Sequence, residues 1–435
     1  MAKILMVGKG GFGDMFPLFA LAKALQVRGH GVRIAAERHH QPACSAIGSA
    51  LCILDGPAST RQTGLEDGRS GPSRWLGLDP GVWATLAPRS IEHEIGVLLP
   101  QIRDCDLVIG NQLAYSGVLA SRLAGRPWVF CAASPLAIPS AHDPPLWPYV
   151  HRLQTSAARW GLPQTPFLRA ARLTTWALMR PQMRLQRRLG LASQGHPRFE
   201  GMYSSQLNLL MTSPLLAPAQ PDWPGATAVT GFPWFDPPFL GGDDQEQEIT
   251  QFARAGASPL VFAPGGSKRG QPGTFFEESA KAARLLGRRA IIVAAKKFHD
   301  QFSPHPDILV TGYFPYARLF HLASAVVHSG GIGALGWAMR FGVPSLLVPS
   351  DWDQFDNARR AEQRGLAKVL DLKDYAAADI ARALDAIAGD PAMRDALARA
   401  APILAHEDGA RVACDAVEAL LSRGALSLSE SRQTR

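Results

Sequence analysis

Runs of consecutive apolar residues, each followed by a turn and a helical pattern, recur along the chain. The first run is 3–7 (KILMV), followed by a glycine-rich loop and a helical pattern over 17–28 that ends at Gly29. Apolar strands that alternate with helices in this way are typical of a parallel, doubly wound sheet. Similar runs predict strands over 32–36, 106–110 and 128–132, with a helix over 114–123.

Two segments interrupt this regular pattern. Residues 135–202 are rich in Pro, Trp and Arg and lack strand periodicity, which predicts an insert of helices and loops. Residues 231–242 (GFPWFDPPFLGG) mark a linker, because glycine and proline punctuate regular structure. The pattern then restarts and predicts strands over 260–263, 290–294, 308–310, 325–328 and 345–348, helices over 275–286 and 333–341, and a helical region over 376–421.

The length of the chain predicts more than one domain. With 435 residues, of which 46% are hydrophobic and 19% charged, it is too long for a single compact core. Two α/β domains are therefore predicted. We expect an N-terminal domain over 1–235 that contains the insert, a C-terminal domain over 243–410, a C-terminal helix over 411–424 that packs back towards the first domain, and a flexible tail over 425–435.

The cysteines and the apolar runs indicate where the protein works. The five cysteines are scattered and form no Cys-x-x-Cys pair, so they favour neither a disulfide framework nor a zinc site. No segment approaches the ~18 uninterrupted apolar residues that a membrane span needs. The amino terminus has the pattern of a buried strand rather than of a signal peptide. We therefore expect a cytoplasmic protein, at most peripheral on the membrane surface.

The positive charge is concentrated in one segment. The formal net charge is +8, and residues 151–199 contain nine arginines and no acid. Such a segment can meet phosphate, nucleic acid or anionic lipid, or it can be a solvated helix face. Because no nucleic-acid-binding module accompanies it, a nucleic-acid partner is disfavoured.

The glycine-rich loop after the first strand leads to Asp14. Ligands bind at this edge of open α/β sheets, and glycines let backbone amides approach them. A carboxylate there is a candidate general base for an acceptor hydroxyl, and the alternative is that it caps the helix. The loop does not match G-x-G-x-x-G, so a nicotinamide cofactor is unsupported, although Glu37 ends the second strand where a ribose ligand would stand.

The second half contains three polar loops. The turn 328–333 (HSGGIG) lies between a predicted strand and a helix, where amides, the helix dipole and His328 favour a phosphate; alternatively, His328 is satisfied by a carbonyl. The loop 263–270 (APGGSKRG) offers amides and cations to a second phosphate, or is a surface turn. Residues 349–357 (PSDWDQFDN) supply carboxylates and amides for sugar hydroxyls. Their three acids favour a divalent metal only weakly, and some of them can cap the following helix.

Four stretches, 13–30, 134–148, 220–236 and 328–358, resemble family-one glycosyltransferases with the GT-B fold. The resemblance covers nearly the whole chain, and within the family it is strongest to the rhamnosyltransferases of bacterial rhamnolipid synthesis. It implies two facing Rossmann-like domains with an interdomain cleft. It also implies an inverting, metal-independent transfer with no cofactor beyond the nucleotide-sugar co-substrate. Asp14 would be the catalytic base, at the position where many relatives have histidine.

The same resemblance implies residues for both substrates. Tyr313 would stack on the nucleobase and Phe314 would act through its backbone, while His142 is a reserve base. The donor-binding residues would be Gly266, Ser267, Tyr313, Phe314, His328, Ser329, Gly330, Gly331, Gly333, Asp353 and Gln354. The acceptor is predicted from the insert of the first domain, where Ile138, Pro144, Pro145, Leu146 and Trp147 would line an apolar slot. The acceptor-binding residues would be Gly11, Phe12, Ile138, His142, Leu146 and Trp147.

Two departures from the plant-type pattern bear on specificity. Ile332 and Gly336 stand where Asn and Glu are usual, and that Glu grips the ribose hydroxyls, so its absence is compatible with a deoxythymidine donor. We expect dTDP-rhamnose as donor and a hydroxy-fatty acid ester as acceptor. One alternative is a UDP- or dTDP-sugar glycosyltransferase that acts on a polyketide, macrolide or sterol. An alternative of another class is an inactive nucleotide-sugar-binding auxiliary subunit, which would be expected to lack Asp14 or His328.

Overall fold

The computed structural model of the chain describes residues 1–56, 87–148, 150–265 and 274–433. These residues form two compact units, each built on a parallel sheet. The first unit comprises Met1–Pro145, Tyr149–Phe235 and Asp408–Arg435, and the second comprises Leu146–Pro148 and Asp236–Glu407. The prediction of two Rossmann-like domains with parallel sheets is confirmed.

The first unit contains a seven-stranded parallel sheet among the described residues, in the order β3-β2-β1-β4-β5-β6-β7. Its central strands are buried along nearly their whole length, which is why they appear in the sequence as continuous apolar runs. The strands are β1 (Lys3–Val7), β2 (Gly31–Ala36), β3 (Ala50–Ile53), β4 (Leu107–Asn111), β5 (Trp128–Ala132), β6 (Asn208–Leu210) and β7 (Thr227–Val229).

The second unit contains a six-stranded parallel sheet among the described residues, in the order β10-β9-β8-β11-β12-β13. Because all neighbouring strands are parallel, the loops that follow β8, β10, β11 and β12 emerge at the same edge of the sheet. The strands are β8 (Leu260–Ala263), β9 (Ala290–Val293), β10 (Ile308–Thr311), β11 (Ala325–His328), β12 (Ser345–Leu347) and β13 (Lys368–Val369).

Helices connect the strands of both units. Those of the first unit are α1 (Phe12–Val27), α2 (Gln41–Ala46), α3 (Pro88–Arg103), α4 (Tyr115–Leu123), α5 (His151–Arg159), α6 (Thr165–Leu178) and α7 (Arg180–Arg188). Those of the second unit are α8 (Asp243–Arg254), α9 (Thr274–Leu285), α10 (Tyr316–Leu319), α11 (Ile332–Arg340), α12 (Gln354–Gln363), α13 (Ala377–Ala388) and α14 (Pro391–His406). The last helix, α15 (Gly409–Gln433), belongs to the first unit.

The structure differs from the sequence prediction at the first helix. This helix begins at Phe12 rather than at residue 17, because the Asp14 carboxylate accepts a hydrogen bond from the backbone N–H of Gly11 and so caps the first turn. Pro17 lies inside the helix, not at its start. The chain is also helical as far as Gln433, whereas the sequence predicts a frayed tail over 425–435.

Candidate active site

The loop between β1 and α1 is shaped by its glycines. Gly10 has φ +104°, in the left-handed region that favours glycine. A Cβ atom on Gly10 would meet the Asp14 carboxylate, and one on Gly8 would meet the side chain of Met15. Glycine at these two positions therefore lets the loop fold back against the first turn of α1.

Asp14 is half-buried and held through both carboxylate oxygens. Its Oδ2 accepts a hydrogen bond of 3.1 Å from the Gly11 backbone N–H, and its Oδ1 accepts one of 3.1 Å from Nε2 of Gln112. Asp14 therefore has the capping role that was the alternative to catalysis. Capping does not by itself exclude a catalytic role, because a carboxylate oxygen can accept more than one hydrogen bond.

Asn111 and Gln112, which end β4 and follow it, hold the loop around Asp14. Asn111 is buried, and its Nδ2 donates to the carbonyls of Lys9 (2.8 Å) and Asp14 (3.3 Å). The Arg198 guanidinium donates to the Gln112 carbonyl at 3.0 Å. Burial lowers the pKa of Arg198, and the nearby charges of Tyr203 and Asp14 oppose that shift. These residues were not predicted, although Asn111 and Gln112 stand at the carboxyl end of a predicted strand, where site residues are expected.

A buried ion pair lies under the same loop. Lys9 Nζ is 2.5 Å from Glu94 Oε1, and both side chains are almost fully buried. The second oxygen of Glu94 accepts a hydrogen bond of 2.5 Å from Ser116 Oγ. Glu94 lies on α3 and Ser116 on α4, so these contacts fix the loop to both helices. The Lys9–Glu94 pair could not be predicted from the sequence, because the two residues are 85 positions apart.

Of the predicted acceptor residues, Gly11 and Phe12 lie beside Asp14. Gly11 is exposed, and the half-buried ring of Phe12 stacks on Phe16 with ring centroids 5.4 Å apart. His142 is exposed, and its backbone N–H donates to Ser140 Oγ. Gly11 and His142 are therefore accessible to a ligand.

The other predicted acceptor residues do not form the expected slot in the first unit. Ile138 is 1% exposed and packs into the hydrophobic core of that unit, so its side chain is not available to line a ligand site. Leu146 and Trp147 are half-buried and belong to the second unit, where the Leu146 backbone N–H donates to Asp356 Oδ1 at 2.9 Å.

In the second unit, His328 ends β11 with its imidazole buried. The Gly330 backbone N–H donates to His328 Nδ1 at 3.1 Å, which places the ring proton on Nε2. Among the described residues nothing hydrogen-bonds to Nε2. Burial lowers the pKa of His328 to about 3, so the imidazole is neutral and its Nε2–H is a donor that no described residue satisfies. The alternative that a carbonyl accepts a hydrogen bond from His328 is therefore not observed among the described residues.

The turn after His328 leads directly into α11. Gly330 has φ +83°, and a Cβ atom there would approach the Gln354 carbonyl to 3.2 Å. Ser329 is buried, and Gly333 is exposed in the first turn of the helix. Within the described residues this first turn contains no acidic side chain. The free amides and the helix dipole therefore favour an anion.

The segment before α12 is joined to the same turn. Asn357 Nδ2 donates to the Gly330 carbonyl (3.1 Å) and to Asp353 Oδ2 (2.9 Å). Gln354 Oε1 accepts from the backbone of Ser350 and Asp351, both at 3.0 Å, so its carbonyl oxygen shapes the loop. These bonds bring the predicted residues of 328–333 and 353–354 together in one cluster.

Two further features of this segment were not predicted. Trp352, next to Asp353, has φ +44°, a conformation that is uncommon for a bulky residue and that often occurs at ligand sites. Asp356 is fully buried; burial acts to raise its pKa, but Arg360 and Arg359 outweigh it and lower the pKa. Asp356 is therefore committed to a structural ion pair and is not a sugar or metal ligand.

The remaining predicted donor residues are Tyr313, Phe314, Gly266 and Ser267. Tyr313 follows β10 and is 37% exposed, so its ring is accessible for stacking. Phe314 is fully buried in the core, which leaves only its backbone for a ligand. Gly266 and Ser267 lie outside the described residues, as does most of the loop 263–270.

Comparison with known proteins gives the class of the chain. A family model, the erythromycin biosynthesis protein CIII-like C-terminal domain, matches residues 283–418. The chain is 26% identical to O-mycaminosyltylonolide 6-deoxyallosyltransferase of Streptomyces fradiae, over 96% of this chain and 97% of that protein. It is 24% identical to the sterol 3-beta-glucosyltransferase UGT80B1 of Arabidopsis thaliana, over 95% of this chain and 67% of that protein.

Solved structures share the fold over nearly the full length. The calicheamicin glycosyltransferase CalG4 matches with a TM-score of 0.68 and 19% identity, covering 97% of this chain and 99% of that one. The spinosyn rhamnosyltransferase SpnG complexed with thymidine diphosphate matches with a TM-score of 0.65 and 18% identity, covering 96% and 100%. The chain has the GT-B fold, and its full-length relatives make it an enzyme of the glycosyltransferase class.

Proposed function

We propose that this glycosyltransferase moves a sugar from a nucleoside diphosphate to a hydroxyl of a small amphiphilic acceptor, with inversion and without a metal. One observation carries the proposal most directly: within the described part of the chain, the Nε2–H of the neutral His328 has no hydrogen-bond partner, and no side chain caps the amino end of α11, four residues further on. A buried donor of this kind costs free energy unless a ligand accepts its hydrogen bond. A diphosphate is the ligand that satisfies both groups.

The second unit would hold the leaving group. As the bond between the anomeric carbon and the phosphate oxygen breaks, negative charge grows on the diphosphate. The amides at the start of α11 and the His328 Nε2–H would stabilise that charge, since preformed donors act most strongly where charge develops. Asp353, tied to the same turn through Asn357, would accept hydrogen bonds from sugar hydroxyls.

Asp14 of the first unit would be the general base. Its carboxylate takes the proton of the acceptor hydroxyl while the acceptor oxygen forms the new bond to the anomeric carbon. Gly11 N–H and Gln112 Nε2, which both donate to Asp14, fix the orientation of its carboxylate. A positioned carboxylate needs no cofactor for this step.

For the donor we propose dTDP-rhamnose. Gly336 in α11 is buried and lacks any side chain to grip a ribose 2′-hydroxyl, and deoxythymidine has none. A structural relative is a rhamnosyltransferase complexed with thymidine diphosphate. A thermal-shift series with TDP, UDP and ADP tests the nucleotide: TDP at a hundred times its Kd would add about 2.7 kcal/mol of stability. An equal or larger response to UDP would argue against the thymidine assignment.

For the acceptor we propose a hydroxy-fatty acid ester. The alternative, a macrolide, polyketide or sterol-like natural product, is favoured by the names of the relatives, which include an antibiotic-tailoring enzyme and a sterol glucosyltransferase. Turnover assays with dTDP-rhamnose against both acceptor types separate them. Transfer to a macrolide or sterol but not to the lipid ester would replace the first proposal with the second.

We also propose that the insert of the first unit contacts an anionic membrane surface. Its helices α5–α7 contain no acid, none of the α6 side chains is buried, and apolar side chains stand in solvent among arginines. Trp160 is 83% exposed and Leu173 68%. Basic and apolar groups on one exposed helical region are typical of interfacial binding. No described helix has both the length and the apolar character that a membrane crossing requires.

A further inference from the structure

Three side chains at the end of β2 form a cluster that plays no part in the proposed transfer. Glu37 follows the last residue of β2, and His39 and His40 lie in the single 3-10 turn after it. One ligand atom from each residue lies within 4.8 Å of the other two. Carboxylate plus two imidazoles is a donor set that Zn²⁺ and similar transition metals bind.

The state of His40 supports a role as a metal ligand. Its Nε2 lies 3.0 Å from the Gly10 carbonyl and donates to it, so the ring proton is on Nε2 and Nδ1 carries a lone pair. The side chain is fully buried, and among the described residues Nδ1 has no hydrogen-bond partner. Metal-binding histidines usually donate their other N–H to a carbonyl in just this way.

Glu37 and His39 complete the set from two sides. Glu37 is 5% exposed, so its carboxylate is almost fully buried beside the two histidines. His39 is exposed, and its ring lies 3.9 Å from that of His40 between centroids. The site thus has two buried ligands and one exposed ligand.

We propose that Glu37, His39 and His40 bind a single divalent transition-metal ion of the Zn²⁺ type. The ion would tie the end of β2 to the glycine-rich loop, because His40 also donates a hydrogen bond to the Gly10 carbonyl. It would therefore stiffen the loop that leads to Asp14 without entering the sugar transfer.

Co²⁺ and Zn²⁺ titrations of the full chain, freed of metal by chelation and of any histidine tag, test this site. We expect one equivalent of Co²⁺ to bind with the visible bands of a tetrahedral site, and Zn²⁺ to displace it. His39→Ala removes the exposed ligand and should weaken Zn²⁺ binding by roughly a hundredfold, since loss of even outer partners of a metal ligand costs 10–100-fold. His406→Ala, at an exposed histidine on α14, is the control and should bind normally.

Absence of stoichiometric binding to the wild type would overturn the proposal. So would binding that His39→Ala leaves unchanged. Because the readout needs neither donor nor acceptor, it is independent of the proposed transfer: a chain that binds TDP but no Co²⁺ loses only this site. Unchanged circular dichroism of metal-free His39→Ala confirms that the substitution acts on binding rather than on folding.

Discussion

Asp14 combines a structural and a chemical role in one side chain. Its carboxylate closes the first turn of α1 through the Gly11 N–H, and Gln112 holds the other oxygen. The lack of a side chain at Gly10 makes room for it, since a Cβ there would collide with the carboxylate. Removal of the charge can therefore be separated from removal of the cap.

Asp14→Asn keeps an oxygen that can accept from Gly11 but removes the base. We expect kcat to fall by about 10²- to 10⁴-fold, the usual contribution of a general base, with TDP affinity unchanged. Steady-state kinetics and nucleotide titration measure the two effects. Gln112→Ala is the companion variant, for which a smaller loss is expected. Wild-type turnover in Asp14→Asn would remove Asp14 from the mechanism.

His328 can be dissected by two amide substitutions. Gln places an N–H donor near the position of Nε2, whereas Asn places an acceptor near Nδ1 and so keeps only the contact to Gly330 N–H. We expect His328→Asn to weaken TDP binding by about 10- to 100-fold, in line with 1.5–3 kcal/mol for a hydrogen bond to a charged group, and His328→Gln to weaken it less. Calorimetry measures both; equal affinities for the two variants would count against an Nε2 contact.

The buried imidazole of His328 also predicts a pH dependence of stability. Its pKa falls from the ordinary 6.5 to about 3, so between these values the unfolded chain takes up a proton that the folded chain does not. Its contribution to the free energy of unfolding is complete above pH 6.5 and is lost as pH falls towards 3. Urea denaturation should show a steeper loss between pH 7 and 4 in the wild type than in His328→Asn. Parallel curves would contradict this.

At the scale of single residues, the sequence identifies groups that stand in loops after strands but not their partners. Asp14 and His328 were found because they adjoin glycines at strand ends. Arg198 and Gln112 were missed, because contacts between residues distant in the chain leave no local pattern. Ile138 was placed wrongly in a ligand slot, because an apolar residue in a loop gives no sign of whether the core takes it.

The elements themselves were predicted best where they are fully buried. The continuous apolar strands β1, β5, β8 and β11 match the predicted ranges, whereas the short strands β3, β6, β7 and β13 were not predicted. Strands of two to four residues rarely show a clear periodicity. Helix α3 was also missed, although its buried residues Ile91, Ile95, Leu98 and Ile102 have helical spacing. The sequence gives no clear start or end for α3, because neither a glycine nor a capping side chain marks its ends.

Two ion pairs near opposite ends of β1 allow a matched test of burial. Lys9–Glu94 is buried, whereas Lys3–Asp104 is exposed, with exposed fractions of 66% and 59%. Glu94→Gln should destabilise the first unit by roughly 3–5 kcal/mol, because it leaves the Lys9 charge buried and uncompensated. Asp104→Asn should change little, since solvent screens that pair. Equal effects in urea denaturation would show that burial does not set the strength of the Lys9–Glu94 pair.

On the scale of the whole molecule, the uneven charge of the first unit predicts lipid binding. Co-sedimentation with vesicles of phosphatidylglycerol should pull down the chain, and phosphatidylcholine vesicles should not. Binding should weaken with salt, because screening shortens the reach of the arginines. Trp160→Ser with Leu173→Ser should reduce binding, whereas Leu285→Ser, at an equally exposed position on α9, should leave it unchanged. Equal pelleting of both variants would indicate non-specific adsorption.

The last helix of the chain completes the first unit. Arg28 at the end of α1 contacts Asp415 and Glu418 of α15, each at 2.6 Å, and the Gly409 N–H donates to the Phe232 carbonyl at 3.0 Å. A ribosome releases these residues only after the entire second unit has been synthesised. During synthesis the first unit therefore lacks its last helix until the second unit has been made. A nascent chain stalled before residue 408 should be open to protease in its first half and resistant in its second.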